Sequence, residues 1–148
     1  MRSKLLNAAD GLRTYAVVFD KGDEVMEGLK RFAASERVSA AQVTAIGAFE
    51  TAELAFYLWE TKEYETIPVT EQTEVLSLLG DIGIDTEDRP ALHLHAVLGH
   101  RDGRATGGHM VKGVVRPTLE VVVQETPAHL RRVPDAESGL ALIDLKQE

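Results

Sequence analysis

Two histidines in one apolar segment have the spacing of metal ligands. His93 and His95 alternate with apolar residues in the run Leu92–Val97. In a β-strand this alternation places both imidazoles on one face and the apolar side chains on the other. Their Cα atoms would then lie about 7 Å apart, which is close enough for both rings to bind one metal ion.

A third histidine follows at the spacing of a β-hairpin. Arg101-Asp102-Gly103 is a turn signal that ends in glycine. If these residues form a three-residue loop, the register places His95 opposite His109, with their Cβ atoms about 5 Å apart on one face. A slip of one residue would turn His109 to the other face. A bulge at Gly107-Gly108 could also re-aim it.

Three histidines converging in this way supply three neutral nitrogen ligands. We therefore predict a divalent metal site at His93, His95 and His109 that holds zinc or another transition metal and leaves one position open. The alternative is that these are polar strand residues that face solvent or bind the backbone. His100 is expected to be exposed beside the turn, and His129 has no partner visible in the sequence, so neither is assigned to the site.

Glu120 is the candidate catalytic residue. It lies in the otherwise apolar segment Leu119–Val123, where burial of a carboxylate costs free energy unless it is paired. One interpretation is a general base, or a partner of a metal ligand, near the histidines. The other is a structural ion pair with Arg116 or Arg13.

Composition limits the classes of function. The 148 residues include no cysteine, which leaves histidine, aspartate and glutamate as the strong metal ligands. The formal net charge of −8 disfavours nucleic-acid binding by the isolated chain, although net charge alone does not exclude a local basic patch. A polar segment at Met1–Asp10 and the lack of a run of about 18 apolar residues predict a cytoplasmic protein that is not inserted in a membrane.

The elements that must position these residues are mostly strands. One helix is predicted from about Glu24 to Glu36, capped by Asp23. Strands are predicted at 15–19, 42–46, 51–59, 64–69, 74–79, 91–98 and 118–123, with a last short strand at 140–145. This pattern predicts one α+β domain over 1–148 with a mostly antiparallel sheet of about seven strands. Its core would span about 12–125, followed by an irregular tail at 126–148.

The ordered motifs of this chain closely resemble the plants-and-prokaryotes-conserved (PPC) domain family, in its bacterial stand-alone form. The resemblance runs from about Tyr15 to Gln124, and Gly80-Asp81-Ile82 stands where the family more often has Gly-Asn-Ile. Its motifs are Gly47-Ala48-Phe49, Glu74–Ile82, His93-Leu94-His95, Asp102-Gly103, Gly107-Gly108-His109 and Thr118–Val123.

This resemblance implies properties that the residues alone do not. Members of the family look like α+β domains that commonly form homotrimers, and His93, His95 and His109 match their metal ligands, with zinc as the implied ion. The fold is similar to that of acetolactate decarboxylase, which also holds zinc with a His-x-His pair and a later histidine. Plant members bind DNA through separate AT-hook segments. No Arg-Gly-Arg-Pro core occurs in this chain, so DNA binding through an AT-hook does not carry over, and DNA-binding stays only as the label of the family.

Two classes of function stay open at this stage. The first is a metal-dependent enzyme or a binder of a small molecule, for which a β-keto or hydroxy acid would fit by analogy with the decarboxylase. The second is a regulatory or DNA-binding-associated module in which any metal is structural. A metal-free, vestigial site is a third interpretation of the histidines.

Overall fold

Antiparallel strands make up most of the fold in the computed structural model, which describes residues 1–127 and 129–145. The predicted α+β class with a seven-stranded sheet and one helix is confirmed. In chain order the elements are β1 (Arg2–Ala9), β2 (Leu12–Asp20), α1 (Val25–Glu36), β3 (Ala41–Leu58), β4 (Glu63–Val69), β5 (Thr73–Ile84), β6 (Pro90–Gly99), β7 (Ala105–Glu125), β8 (Arg132–Pro134) and β9 (Ala141–Ile143).

The sheet partly closes on itself. Its strand order is β1-β2-β7-β6-β5-β3-β4, and a further pairing joins β7 to β3. Since β5 and β6 also pair with each other, the strands β3, β5, β6 and β7 form a closed ring of antiparallel ladders. Buried apolar side chains from this ring and from the helix belong to one core cluster. The side chains of β6 and β7 that point away from this core include His93, His95 and His109.

The helix packs one apolar stripe on the sheet. Val25, Leu29, Phe32 and Ala33 are spaced by three or four residues and are buried. Arg37 ends the helix in the left-handed conformation, and its N–H donates to carbonyls of the last turn. No helix among residues 1–127 and 129–145 is long and apolar enough to cross a membrane.

The residue that caps the helix differs from the prediction. Glu24, rather than Asp23, is the N-cap, and its carboxylate accepts from the N–H groups of Met26 and Glu27 at 3.1 and 2.8 Å. Asp23 instead accepts from the N-terminal ammonium at 2.6 Å and from the N–H of Asp20 at 2.9 Å. The sequence offers two adjacent carboxylates as the cap, and the tertiary contacts of Asp23 leave this role to Glu24.

Two predicted interruptions of strands are wrong. Residues 42–46 and 51–58 belong to a single strand, β3, which continues through Gly47, and the predicted strand ends one residue early, at Leu58. The strand predicted at 74–79 was expected to end before Gly80-Asp81-Ile82-Gly83, a sequence typical of a bend or bulge. Instead β5 runs through these residues to Ile84. These glycines serve close approach of a neighbouring strand. A Cβ at Gly47 would collide with the carbonyl oxygen of Thr118, and one at Gly80 would collide with that of His93.

Both ends of the chain contain strands that the sequence signals weakly. β1 was not predicted, because all of its side chains are exposed and it shows no apolar alternation. The predicted last strand at 140–145 is present as β9, and it pairs with β8 in a separate two-stranded sheet. The tail is therefore partly ordered rather than irregular, while residues 128 and 146–148 of it lie outside the described residues.

We expect Gly80→Ala to destabilise the protein, because the added methyl group must push β6 away at His93. The expected loss is about 2 kcal/mol or more in the free energy of unfolding, measured with urea. Gly103→Ala is the control: its φ of 86° disfavours alanine, but no atom lies within 4 Å of the new methyl group. A loss at Gly80 no larger than at Gly103 would contradict this account of β5 and β6.

Candidate metal centre

The hairpin between β6 and β7 has the predicted register. The N–H of His100 donates to the carbonyl of Arg104 at 2.8 Å, which closes the three-residue loop. His95 pairs directly with His109, and no bulge interrupts the ladder from there to the loop. Leu94 is buried on the inner face of β6. The three imidazoles therefore lie together on the outer face of the two strands.

The three rings are close enough to share one ion. One potential ligand atom from each of His93, His95 and His109 can be chosen so that all lie within 4.8 Å of one another. The Nε2 atoms of His93 and His95 are 3.2 Å apart. In a tetrahedral zinc site with Zn–N bonds of about 2.0–2.1 Å, two nitrogen ligands are separated by roughly 3.3 Å. The first pair already has the separation that such an ion requires.

His109 also has a buried ring nitrogen without a partner. Its Nδ1 accepts or donates no hydrogen bond among the described residues. Leaving such an atom unpaired costs about 1–3 kcal/mol, so native structures usually satisfy it with water, protein or an ion. Tyr64 of β4 stacks on the same ring, with centroids 4.9 Å apart, and holds its orientation.

The C-terminal hairpin forms a wall beside the histidines. Asp81 of β5 lies opposite His93, and an Nη atom of Arg132 donates to both of its carboxylate oxygens at 2.7 and 2.9 Å. Further along, the hydroxyl of Tyr57 donates to the carbonyl of Ser138. These contacts fasten β8 and β9 over the outer face of the sheet.

A cavity of about 340 Å³ lies between this wall and the metal centre. Tyr64, His93, His109 and Arg132 contribute its polar groups. Much of the remaining lining is apolar and includes Leu140–Leu142 of the hairpin. Sequence reasoning missed the roles of Tyr64 and Arg132. The alternation of polar and apolar residues in β6 predicts which way the histidines point. It does not predict which other strands, such as β4 with Tyr64 or β8 with Arg132, lie beside them.

Burial keeps His93 and His109 in the neutral form that binds metals. It lowers the pKa of His109 to about 4, and the nearby His93, His95 and Arg132 add to this effect. Burial is also the main reason that the pKa of His93 falls, with smaller contributions from Arg132 and His95 and opposition from Asp81. A neutral imidazole has a free lone pair, so these two rings need not lose a proton at pH 7 to bind a cation.

The structure does not bring Glu120 to the histidines. It lies eleven positions beyond His109 on β7, is exposed, and borders a different, mainly apolar hollow. The two arginines considered as its partners are engaged elsewhere: Arg116 pairs with Glu50 at 3.3 Å and Arg13 with Glu125 at 2.6 Å. The site geometry gives no support to Glu120 as a general base or as a partner of a metal ligand.

The remaining histidines lie outside the cluster. His100 was expected to be exposed, but only 12% of its side chain is accessible, and it binds Glu71 and Thr106 at 2.8 Å each. His129 is exposed, and its Nδ1 lies 2.7 Å from the hydroxyl of Ser39. Within the described ranges, neither belongs to a three-residue group that could hold a metal.

Comparison with known proteins identifies the family. Residues 6–127 match the Plants and Prokaryotes Conserved (PCC) domain, the family called PPC above. The chain belongs to the PPC family. A plant- and prokaryote-conserved protein from Pyrococcus horikoshii is 32% identical, with a TM-score of 0.83 over 89% of this chain and 91% of that one. The resemblance stated from the sequence motifs is thereby confirmed, whereas the likeness to acetolactate decarboxylase stays a prediction.

Other relatives of this PPC chain carry different descriptions. A metal-containing protein from Archaeoglobus fulgidus is 28% identical, with a TM-score of 0.82 over 97% of this chain and 98% of that one. A protein from Ralstonia eutropha, provisionally named as DNA-binding, is 26% identical, with a TM-score of 0.82 over 88% and 90%. A bifunctional GlmU protein from Synechococcus is 28% identical over 131 residues. The match covers 86% of this chain but only 20% of that relative's length.

The low pKa of His109 makes the stability of the metal-free PPC protein depend on pH. As pH falls below about 6.5, the unfolded chain takes up the proton first, while folded His109 stays neutral down to about 4. The stability that neutral His109 permits is therefore complete above pH 6.5 and is lost progressively towards pH 4. We expect His109→Gln to weaken this acid dependence in urea unfolding with chelator present.

The exposed His129 provides the control. His129→Gln removes an exposed ring that lies outside the cluster, so it controls for the loss of a histidine as such. Equal losses of stability in wild type and His109→Gln between pH 7 and pH 5 would contradict a lowered pKa of His109 in the folded protein.

Proposed function

We propose that this PPC-domain protein binds one divalent transition-metal ion through His93, His95 and His109, and that zinc is the preferred ion. The observation that carries the proposal is the convergence of three imidazole nitrogens within 4.8 Å on two adjacent strands. The partial burial of His93 and His109, the low pKa of His109 and its unpartnered Nδ1 support it. The metal-containing relative from Archaeoglobus fulgidus agrees with it.

The donor set determines what chemistry such an ion would supply. Three neutral nitrogens suit a tetrahedral ion such as zinc and leave one position open, as in catalytic zinc sites. No carboxylate belongs to the cluster among the described residues, so the bound ion would keep its positive charge. Such an ion acts as a Lewis acid that polarises a carbonyl group or makes a water molecule more acidic. Together with the adjacent cavity, this favours a metal-dependent site for a small molecule, as an enzyme or as a binder.

A second function has one specific observation in its favour. The relative from Ralstonia eutropha is provisionally named as DNA-binding, which agrees with a regulatory module that holds a structural metal. Against it stands the net charge of −8, since retention of duplex DNA requires cations placed against phosphates. The cavity beside the histidines also has no part in that function. We therefore place the small-molecule site first.

Metal analysis of the purified protein tests the proposed centre. We expect about one zinc ion per chain in wild type, and a loss to near zero in His93→Ala/His95→Ala, because two of three ligands are removed. His129→Ala is the matched control and should retain the metal, since its ring lies outside the cluster. Equally low metal content in wild type and in the double variant would refute the site.

We also propose the homotrimer that the family resemblance implies. An exposed apolar hollow on the sheet surface supports it: Ile46, Leu76, Leu79 and Val122 are 61%, 56%, 53% and 43% accessible. Contiguous apolar surface of this kind marks interaction sites more often than free surface. A second copy of the chain is the proposed occupant. The cytoplasmic location predicted from the sequence stays a prediction.

Light scattering tests the trimer. Three chains of 16.2 kDa give a particle of about 49 kDa, and we expect this mass for wild type at micromolar concentration. Leu79→Glu places a charge in the apolar hollow and should shift the mass towards that of one chain. Leu142→Glu, at a residue 43% accessible on the C-terminal hairpin, should leave it unchanged. A wild-type mass near 16 kDa would refute the proposed assembly.

A further inference from the structure

Arg132 has hydrogen-bond donors that the protein leaves unused. One Nη atom donates to both oxygens of Asp81, and the other donates to the carbonyl of Ala141 at 3.2 Å. A guanidinium has five N–H donors in a fixed plane. Only 8% of the Arg132 side chain is accessible to solvent. Its Nε is buried and has no partner among the described residues. A buried cationic donor left in this way calls for an acceptor.

This side chain shares a cavity with the proposed metal ligands. Arg132, His93 and His109 all line the space of about 340 Å³ behind the C-terminal hairpin. The positive charge of Arg132 is close enough to contribute to the lowered pKa of both histidines. The volume is at the lower end of the range for small-molecule sites.

The charges around this cavity favour an anion. Histidine binds a metal ion as a neutral imidazole, and the negative charge of Asp81 is already engaged by Arg132. A divalent ion at the histidines would therefore leave about two positive charges uncompensated. Lys30 also borders the cavity, and its positive charge is paired with Glu27 at 3.2 Å. The planar donor set of a guanidinium matches both carboxylate and phosphate. The apolar share of the lining favours the carboxylate, because its single charge costs less to remove from water than the charge of a phosphate.

We propose that the cavity binds a small carboxylate, held by the metal ion at the histidines and by the unused donors of Arg132. This inference rests on the proposed metal centre and specifies its ligand class. The apolar wall, which includes Leu92, Leu140 and Leu142, favours a short apolar substituent on the carboxylate. The hairpin positions Arg132 through its contact with Asp81, and the bond from Tyr57 to Ser138 fastens the same hairpin.

Cobalt substitution makes ligand binding visible. Co²⁺ replaces zinc at nitrogen sites, and its visible absorption changes when a ligand enters its coordination sphere. The probe is propionate, and propionamide, of nearly the same shape but uncharged, is the matched control. We expect propionate to change the spectrum of the cobalt-loaded protein in a saturable way. Propionamide should require a concentration at least about tenfold higher, because it lacks the charge that Arg132 and the ion recognise.

Variants separate ligand binding by Arg132 from its structural contact with the sheet. Removal of Arg132 alone would leave Asp81 partly buried and unpaired, so the test variant is Asp81→Asn/Arg132→Gln. We expect it to bind cobalt with unchanged stoichiometry and to bind propionate about tenfold or more weakly. Arg131→Gln is the matched control, because Arg131 pairs with Asp88 and borders another cavity. It should behave as wild type.

The outcomes separate failure of this inference from failure of the metal centre. A cobalt spectrum that propionate leaves unchanged, or that propionamide changes equally well, would overturn the ligand class while the metal centre stands. Equal propionate affinity in wild type and in the double variant would overturn the role of Arg132. Absence of the cobalt absorption before any ligand is added would overturn the metal centre, and this inference with it.

Discussion

The direct pairing of His95 with His109 is the constraint on which the rest of the site depends. A β-ladder allows only two orientations for each side chain, so register alone decides whether the rings meet or lie on opposite faces. Here a three-residue loop sets that register, and the absence of a bulge between the loop and His109 preserves it. His93, two residues before His95, then joins the same face without any further requirement.

The surrounding elements convert three nearby rings into a site of defined character. The β7–β3 pairing closes the sheet, so the histidines lie on the outer face of a stiff ring of strands. Tyr64 covers one face of His109, and the C-terminal hairpin borders the same cavity as His93. Burial lowers the pKa of His93 and of His109, which keeps the lone pairs of these two rings available to a cation. Position and protonation state therefore have a common cause in the packing.

Arg132 links the metal centre to the chain terminus. Its ion pair with Asp81 joins the terminal hairpin to the strand next to the histidines. Its Nε is buried and has no partner among the described residues. An arginine that served only to fasten the hairpin would gain by having its Nε paired as well. The unpaired donor is more readily explained by a ligand with acceptor atoms. The same side chain thus accounts for the ordered tail and for the proposed ligand class.

Local patterns predicted part of this structure, and long-range contacts determined the remainder. The alternation around His93 and the turn at Arg101–Gly103 are local signals, so the hairpin and the three rings were predictable. Gly47 and Gly80 lie inside long strands, although glycine at such positions also indicates a turn that ends a strand. The sequence alone does not distinguish a turn from a position where a neighbouring strand approaches too closely for a side chain. Glu120 was placed near the histidines because the sequence does not show how far β7 extends between them.

A crystal structure with anomalous scattering at the zinc edge would test the central claim most directly, since it locates the ion and its ligands together. The account predicts one strong peak per chain, bonded to nitrogens of His93, His95 and His109 at about 2.0–2.1 Å. A map of zinc-supplemented crystals with no peak between these rings, or with the His109 ring directed to the opposite face of the sheet, would contradict it.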